Sequence, residues 1–254
     1  MNGHKIYLMK YLSLFCLVLL GLLLHAVLPL QAAEWGNLSG QFIYTGNPPN
    51  PKTVKLTKDQ SLVIGKNGGL KNIFIFLKKK KSQEINIHPS YYQLPKKVSL
   101  FHQNSIYEPH ILGLWHKHQE LVVINKDPHD HIVHIHARKN YFPGTLPKKI
   151  IKQRTFRFQT SEIYPIPVKC IIHPWETAYL LVLDHPYFSS TDETGAFTIK
   201  NLPVGDFQFR IWHEKVGHLL AKEEWERGRI KIKIKTGKND LGVIKVSPKL
   251  FEKK

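Results

Sequence analysis

The segment Val168-Lys-Cys-Ile-Ile-His-Pro-Trp-Glu176 sets a cysteine and a histidine three residues apart, with Pro174 and Trp175 stiffening the turn behind them. A loop that short can aim a thiolate and an imidazole at one point. A soft sulfur beside a borderline nitrogen suits copper or zinc. A further ligand must come from elsewhere, and the run Asn125-Lys-Asp-Pro-His-Asp-His-Ile-Val-His-Ile-His136 offers several. Asp127-Pro128 marks a turn after the apolar stretch Glu120–Ile124, so His129 and His131 fall where one strand ends and the next begins. If 131–136 is extended, His131 lies on one face and His134 and His136 on the other, so the three cannot share one ion without a bulge.

Other chemistry fits less well. Cys170 beside His173 could be a nucleophile with its base, but no Asn or Asp is evidently placed to orient that base. His213-Glu-Lys-Val-Gly-His218 is one residue too long for the helical zinc-protease motif, and Gly65-Lys-Asn-Gly-Gly69 lacks the Lys-Ser/Thr of a phosphate loop. No acid–base pair accompanies the metal motif, so the chain reads as a binding protein and not an enzyme.

The elements that must carry these residues are strands. Phe207, Phe209 and Ile211 alternate with Gln208 and Arg210, and Ile230, Ile232 and Ile234 alternate with Arg and Lys, as half-buried strands do. Further strands are predicted at 37–45, 53–56, 61–64, 72–77, 84–87, 97–101, 106–113, 119–125, 131–137, 152–158, 166–170, 178–184, 195–199 and 241–247. One helix is predicted, Leu219 to Glu226. Many short strands at close spacing give an all-β protein of sandwiches. The eight strands of 84–184 suffice for one sandwich, and both chain ends would supply a second.

Lys5 and Lys10, the apolar run Tyr11–Leu30 and Gln31-Ala-Ala33 read as a signal peptide or N-terminal anchor over residues 1–33. Export to a periplasmic or extracellular space follows, with membrane contact only through 1–33 if uncleaved. Of the two cysteines, Cys170 alone remains beyond that segment. In an oxidising space an unpaired cysteine is a free thiol, an intermolecular bridge or a metal ligand. The formal charge of +18 favours acidic partners. Nucleic acid is excluded by export and by the lack of stacking aromatics among the lysines. Lys78–Lys81 reads as a solvated turn.

These segments resemble the cupredoxins, the plastocyanin and amicyanin group, and among them the exported plastocyanin-like proteins labelled methylamine utilisation proteins. The resemblance rests on Gly36-Asn-Leu-Ser-Gly40 with Tyr44-Thr-Gly-Asn-Pro-Pro49, Ser61–Asn72, Tyr107-Glu-Pro-His110, Asn125–His131 and Pro167–Trp175. Asp184–Phe188 through Thr191–Phe197 to Trp212-His-Glu214 resembles a carboxypeptidase-regulatory-like β-sandwich. The implied fold is a cupredoxin-like Greek-key sandwich over 83–185 plus a second, smaller sandwich from 34–82 and 186–254. The implied equatorial copper ligands are His131, Cys170 and His173, and the implied role is one-electron transfer to an acidic redox partner, or copper handling. Glu176 stands where the family has methionine, as an axial ligand or a surface charge, and Ile132 stands where the family has asparagine. The family's two further cysteines are missing. His110 reads as structural and Trp175 as packing over the site. The alternative is a metal-free binding module that docks an acidic partner or envelope polymer.

Overall fold

The computed structural model describes residues 34–47, 61–80, 83–142 and 153–252. The predicted signal segment 1–33 and the predicted strand 53–56 lie outside these residues. Among them the chain is all-β, a set of packed β-sheets. Its strands are Trp35–Tyr44 (β1), Phe74–Leu77 (β2), Lys97–Gln103 (β3), Ile106–Glu108 (β4), Ile111–Trp115 (β5), Glu120–Asn125 (β6), Val133–Ile135 (β7), Gln153–Phe156 (β8), Ile166–Cys170 (β9), Thr177–Leu183 (β10), Phe188–Ser190 (β11), Ala196–Pro203 (β12), Gly205–His213 (β13), Gly217–His218 (β14), Arg229–Ile234 (β15) and Gly237–Val246 (β16). No helix among the described residues is long and apolar enough to cross a membrane.

Four sheets form, ordered β4-β3-β6-β8, β5-β10-β9-β7, β11-β2-β13-β14 with β15 on β13, and β12-β1-β16. The first two enclose a core of Leu100, Leu114, Leu121, Val123, Phe156, Val168, Leu180 and their neighbours. The last two enclose Leu38, Phe42, Ile75, Phe209, Ile211, Ile244 and others. A third cluster, Phe74, Phe76, Ile111, Leu181, Leu183 and Trp212, joins the two middle sheets. The four sheets therefore stack.

This stacking explains the uninterrupted apolar runs. In β2, Phe74 and Phe76 face the third cluster while Ile75 and Leu77 face the second core. In β10, Leu180 and Val182 face the first core while Leu181 and Leu183 face the third cluster. Strands buried on both faces lose the polar alternation that β15 keeps.

Several expectations need correction. Leu219 to Glu226 is not an α-helix. Leu219 and Trp225 both enter the second core. Six residues apart on a helix they would point about 120° apart; here the segment is irregular, the Leu219 N–H bonding Ile211 O at 3.1 Å. Residues 84–87 form no strand. Ile85 and Ile87 pack on the second core, while the Tyr187 hydroxyl bonds Asn86 O at 2.7 Å and accepts from His88 N at 3.1 Å. Residues 61–64 contribute one bridge, at Ile64. The strand expected at 106–113 breaks at Pro109, which has no N–H to donate, and its halves β4 and β5 enter different sheets. In the lysine cluster, Lys79 pairs with Asp184 at 2.5 Å and Lys78 is half-buried, so this turn is not simply solvated.

At Gly113 of β5 a Cβ would lie 1.9 Å from the Phe188 ring of β11. Gly113→Val should therefore wedge the two middle sheets apart and lower stability by about 1–3 kcal/mol in denaturant unfolding, with Phe188→Ala relieving part of the loss. Burial holds His213 down to about 3 and His185 down to about 4. Both are neutral when folded and take up protons on unfolding below an ordinary value of about 6.5, so stability is full above that pH and falls as pH drops. The slope is about 1.4 kcal/mol per pH unit for each group. The acid limb of the melting temperature between pH 6.5 and 4 should be shallower in His213→Gln; an unchanged slope would contradict the assignment.

Candidate metal centre

β9 alternates inward Ile166, Val168 and Cys170 with outward Pro167 and Lys169. The last inward position thus delivers a sulfur to the rim of the first core. The chain then turns through Ile171–Trp175, closed by Cys170 N–H to Glu176 O at 3.2 Å and Glu176 N–H to His173 O at 2.9 Å. The side chain of Glu176 comes back inside. Ile171 N–H bonds Ile132 O at 2.8 Å and so ties this loop to the histidine run.

His131 is set by Asp127. The turn between β3 and β4 holds Asn104 and Ser105 at φ of 56° and 58°. This left-handed pair suits a tight hairpin, and it aims both N–H groups at Asp127, at 2.6 and 2.9 Å. Asp127 N–H bonds Asn125 Oδ1 at 2.9 Å, and Asn125 Nδ2 bonds His129 O at 2.9 Å. Burial alone would raise the Asp127 carboxyl, but those N–H groups and the His131 imidazole outweigh it and hold the group below its ordinary value. The carboxylate accepts from His131 Nε2 at 2.9 Å. That bond fixes the tautomer and leaves the Nδ1 lone pair free.

The donor atoms converge. Cys170 Sγ lies 3.7 Å from both His131 Nδ1 and His173 Nδ1. Glu176 Oε2 lies 3.1 Å from His131 Nδ1 and 3.4 Å from His173 Nδ1. All four donors lie within 4.8 Å of one another. Cys170 is 1% exposed and Glu176 2%, whereas the His173 side chain is 24% exposed. Burial pushes the Cys170 thiol up, the N–H groups of His173, Ile132 and Ile172 pull it partly back, and the Glu176 charge adds to the rise. Without a cation this sulfur is a thiol and a poor nucleophile.

Glu176 supplies the test of whether a metal fits. Both its oxygens are buried without a hydrogen bond. His102 Nε2 approaches Oε2 to 2.7 Å, yet not along a hydrogen-bond direction. A buried carboxylate with no donor is expensive unless a cation meets it. A trigonal ion with bonds of about 2.3 Å to sulfur and about 2.0 Å to nitrogen would place those atoms about 3.7 Å apart, the spacing seen for both Cys–His pairs. The donor set, its spacing and the orphaned carboxylate all fit a bound cation.

His131, Cys170, His173 and Glu176 are thus brought to one point. Glu176, for which the sequence left a surface charge open, is buried. His129, His134 and His136 are exposed and outside the cluster, although the His129 ring lies tilted beside His131 and edge-on to His173 at centroid distances of 4.7 and 5.9 Å. Trp175 touches the His173 ring but is 66% exposed. His110 faces Glu214, in the turn just after β13, and so links the two sandwiches. Beside Glu176 and His110 lies a cavity of about 160 Å³, also bordered by Tyr107, Tyr179 and Glu214.

His102 was missed. It is fully buried between Tyr107 and His131, at centroid distances of 4.1 and 3.5 Å. Burial, reinforced by His131 and opposed by Glu176, holds it down to about 4. Its signal was the period-two series Val98, Leu100, His102, whose third member lies one residue beyond the predicted strand end. Asp127 read only as a turn residue, because its role depends on N–H groups from a separate hairpin.

No protein-family model matches the chain, and no curated protein matches it. Among solved structures, a copper-containing nitrite reductase (NirK) from Thermus scotoductus SA-01 is similar at 12% identity and a TM-score of 0.28, over 56% of this chain and 28% of that one. The similarity therefore spans less than a third of that protein.

Glu176→Gln keeps the shape and removes the charge. The metal-free variant should be more stable than the parent by about 1–3 kcal/mol in urea unfolding, while any stabilisation by added metal shrinks. A less stable metal-free variant would show that Glu176 is already satisfied by its neighbours.

Proposed function

We propose that this chain is an exported, cupredoxin-like mononuclear copper protein, a one-electron carrier or a copper-handling protein. The observation that carries the reading is the buried Glu176 carboxylate, without a hydrogen bond, set against one sulfur and two imidazole nitrogens. In this reading Cys170, His131 and His173 are the principal ligands and Glu176 the fourth. Bound copper would supply a couple between Cu(I) and Cu(II). The chain's own residues do the rest. Asp127 keeps the proton of His131 on Nε2, so Nδ1 needs no deprotonation before binding. The loop bonds of Cys170 and Glu176 fix the donors before metal arrives, which limits rearrangement between oxidation states. A carboxylate is harder than the thioether of the resembling family and favours Cu(II).

His173 is the one ligand with an edge towards solvent, and Ile171, Ile172 and Trp175 around it are 50%, 46% and 66% exposed. Large apolar side chains exposed together mark a contact surface. An electron would leave through this edge to an acidic partner matched to the chain's net positive charge.

Adding Cu(II) to the purified chain should produce a thiolate-to-copper absorption band in the visible and raise the melting temperature. The stabilisation should reach about 2.7 kcal/mol when free copper is a hundred times the dissociation constant. Cys170→Ser should abolish the band. A colourless wild type that gains no stability from copper would end this reading.

A further inference from the structure

β7 puts alternate side chains on opposite faces. His131, just before it, and Ile135 are buried, while His134 and His136 are exposed on the other side. Alternate residues on a strand stand about 6.6 Å apart along the backbone. These two rings nevertheless lean together: His134 Nδ1 and His136 Nε2 are 3.1 Å apart, with centroids at 4.3 Å and ring planes at 81°. An ion bonded to both nitrogens at about 2.0 Å would set them about 2.8 Å apart at a right angle and about 3.3 Å apart at the tetrahedral angle. The observed spacing lies between.

We propose that His134 and His136 form a second metal site, a solvent-exposed chelate for Cu(II), separate from the cluster around Cys170. Its donors are two imidazole nitrogens, completed by water. Such a set selects borderline divalent ions, among which copper binds most tightly. The backbone under it is fixed, because Val133, His134 and Ile135 pair with Cys170, Lys169 and Val168 of β9. Lys169 lies across the ladder from His134, and its charge opposes a cation. The site is accordingly weak and exchanges its ion readily. It occupies the opposite face of the ladder that carries Cys170. It does not depend on the buried site being a copper centre, since no residue is shared.

Cu(II) titration of the full chain, followed by calorimetry, electron paramagnetic resonance and visible absorption, tests this. The wild type should take up two ions, the second colourless and showing nitrogen hyperfine structure. In His134→Ala/His136→Ala the weaker uptake should disappear, and in either single variant its affinity should fall at least about tenfold, with any visible band unchanged. Both residues are exposed, so folding is not at risk. Cys170→Ser should lose the band and keep the weaker, His134-dependent ion. If the double variant binds copper as the wild type does, in stoichiometry and affinity, the two rings are only hydrogen-bonded to each other and the proposal falls. If the wild type shows no visible band yet keeps the His134-dependent ion, the copper reading of Cys170 fails and this one stands.

Discussion

A carboxylate buried without a hydrogen-bond donor destabilises a sandwich unless positive charge meets it, and Glu176 is such a group. Its oxygen faces the nitrogens of His102, His131 and His173 at 2.7–3.4 Å. None of these contacts has the angular geometry of an imidazole N–H bond, although the His102 ring at 2.7 Å still interacts with the carboxylate. An apolar residue would pack there at less expense, and on the proposed function a cation held by the carboxylate, the Cys170 sulfur and two imidazoles together would offset that cost. The neighbouring devices, the Asp127 clamp on His131 and the closed loop 171–175, aim donors at the same point.

The fold serves this constraint by fixing three separated segments. β9 and β10 form the hairpin whose loop carries Cys170, His173 and Glu176. The β3–β4 turn holds Asp127, which holds His131. β3 itself brings His102 under the site. Backbone N–H groups hold Asp127 and close the loop 171–175, and a side-chain bond from Asp127 holds His131, so these side chains are positioned without a metal. The second sandwich meets the region from the side, through the His110–Glu214 pair and the cavity beside Glu176.

Strand periodicity made most of the architecture readable in advance. The alternation in Phe207–Ile211 and Ile230–Ile234 appears as β13 and β15, and the solid apolar runs 72–77 and 178–184 are strands covered on both faces. Cys170 and His173 were readable as a pair because they lie three residues apart, His131 was singled out from its neighbouring histidines only by the family resemblance, and Glu176 was left open between ligand and surface charge. Features made by distant packing were not. Leu219 to Glu226 has helix-forming residues, but Leu219 is drawn onto β13 by its N–H bond to Ile211 O, and both it and Trp225 enter the second core. His102 shows no local motif, since a histidine at an inward strand position becomes a site residue only when another sheet brings Glu176 opposite. The burial of Glu176 itself depends on the closed loop, which sequence spacing alone leaves undetermined.

Copper K-edge X-ray absorption of the chain loaded with one equivalent of copper tests the central claim most directly. The account predicts a first shell with one sulfur and two imidazole nitrogens, the sulfur contribution vanishing in Cys170→Ser. A shell of nitrogen and oxygen alone, identical in wild type and Cys170→Ser, would contradict it.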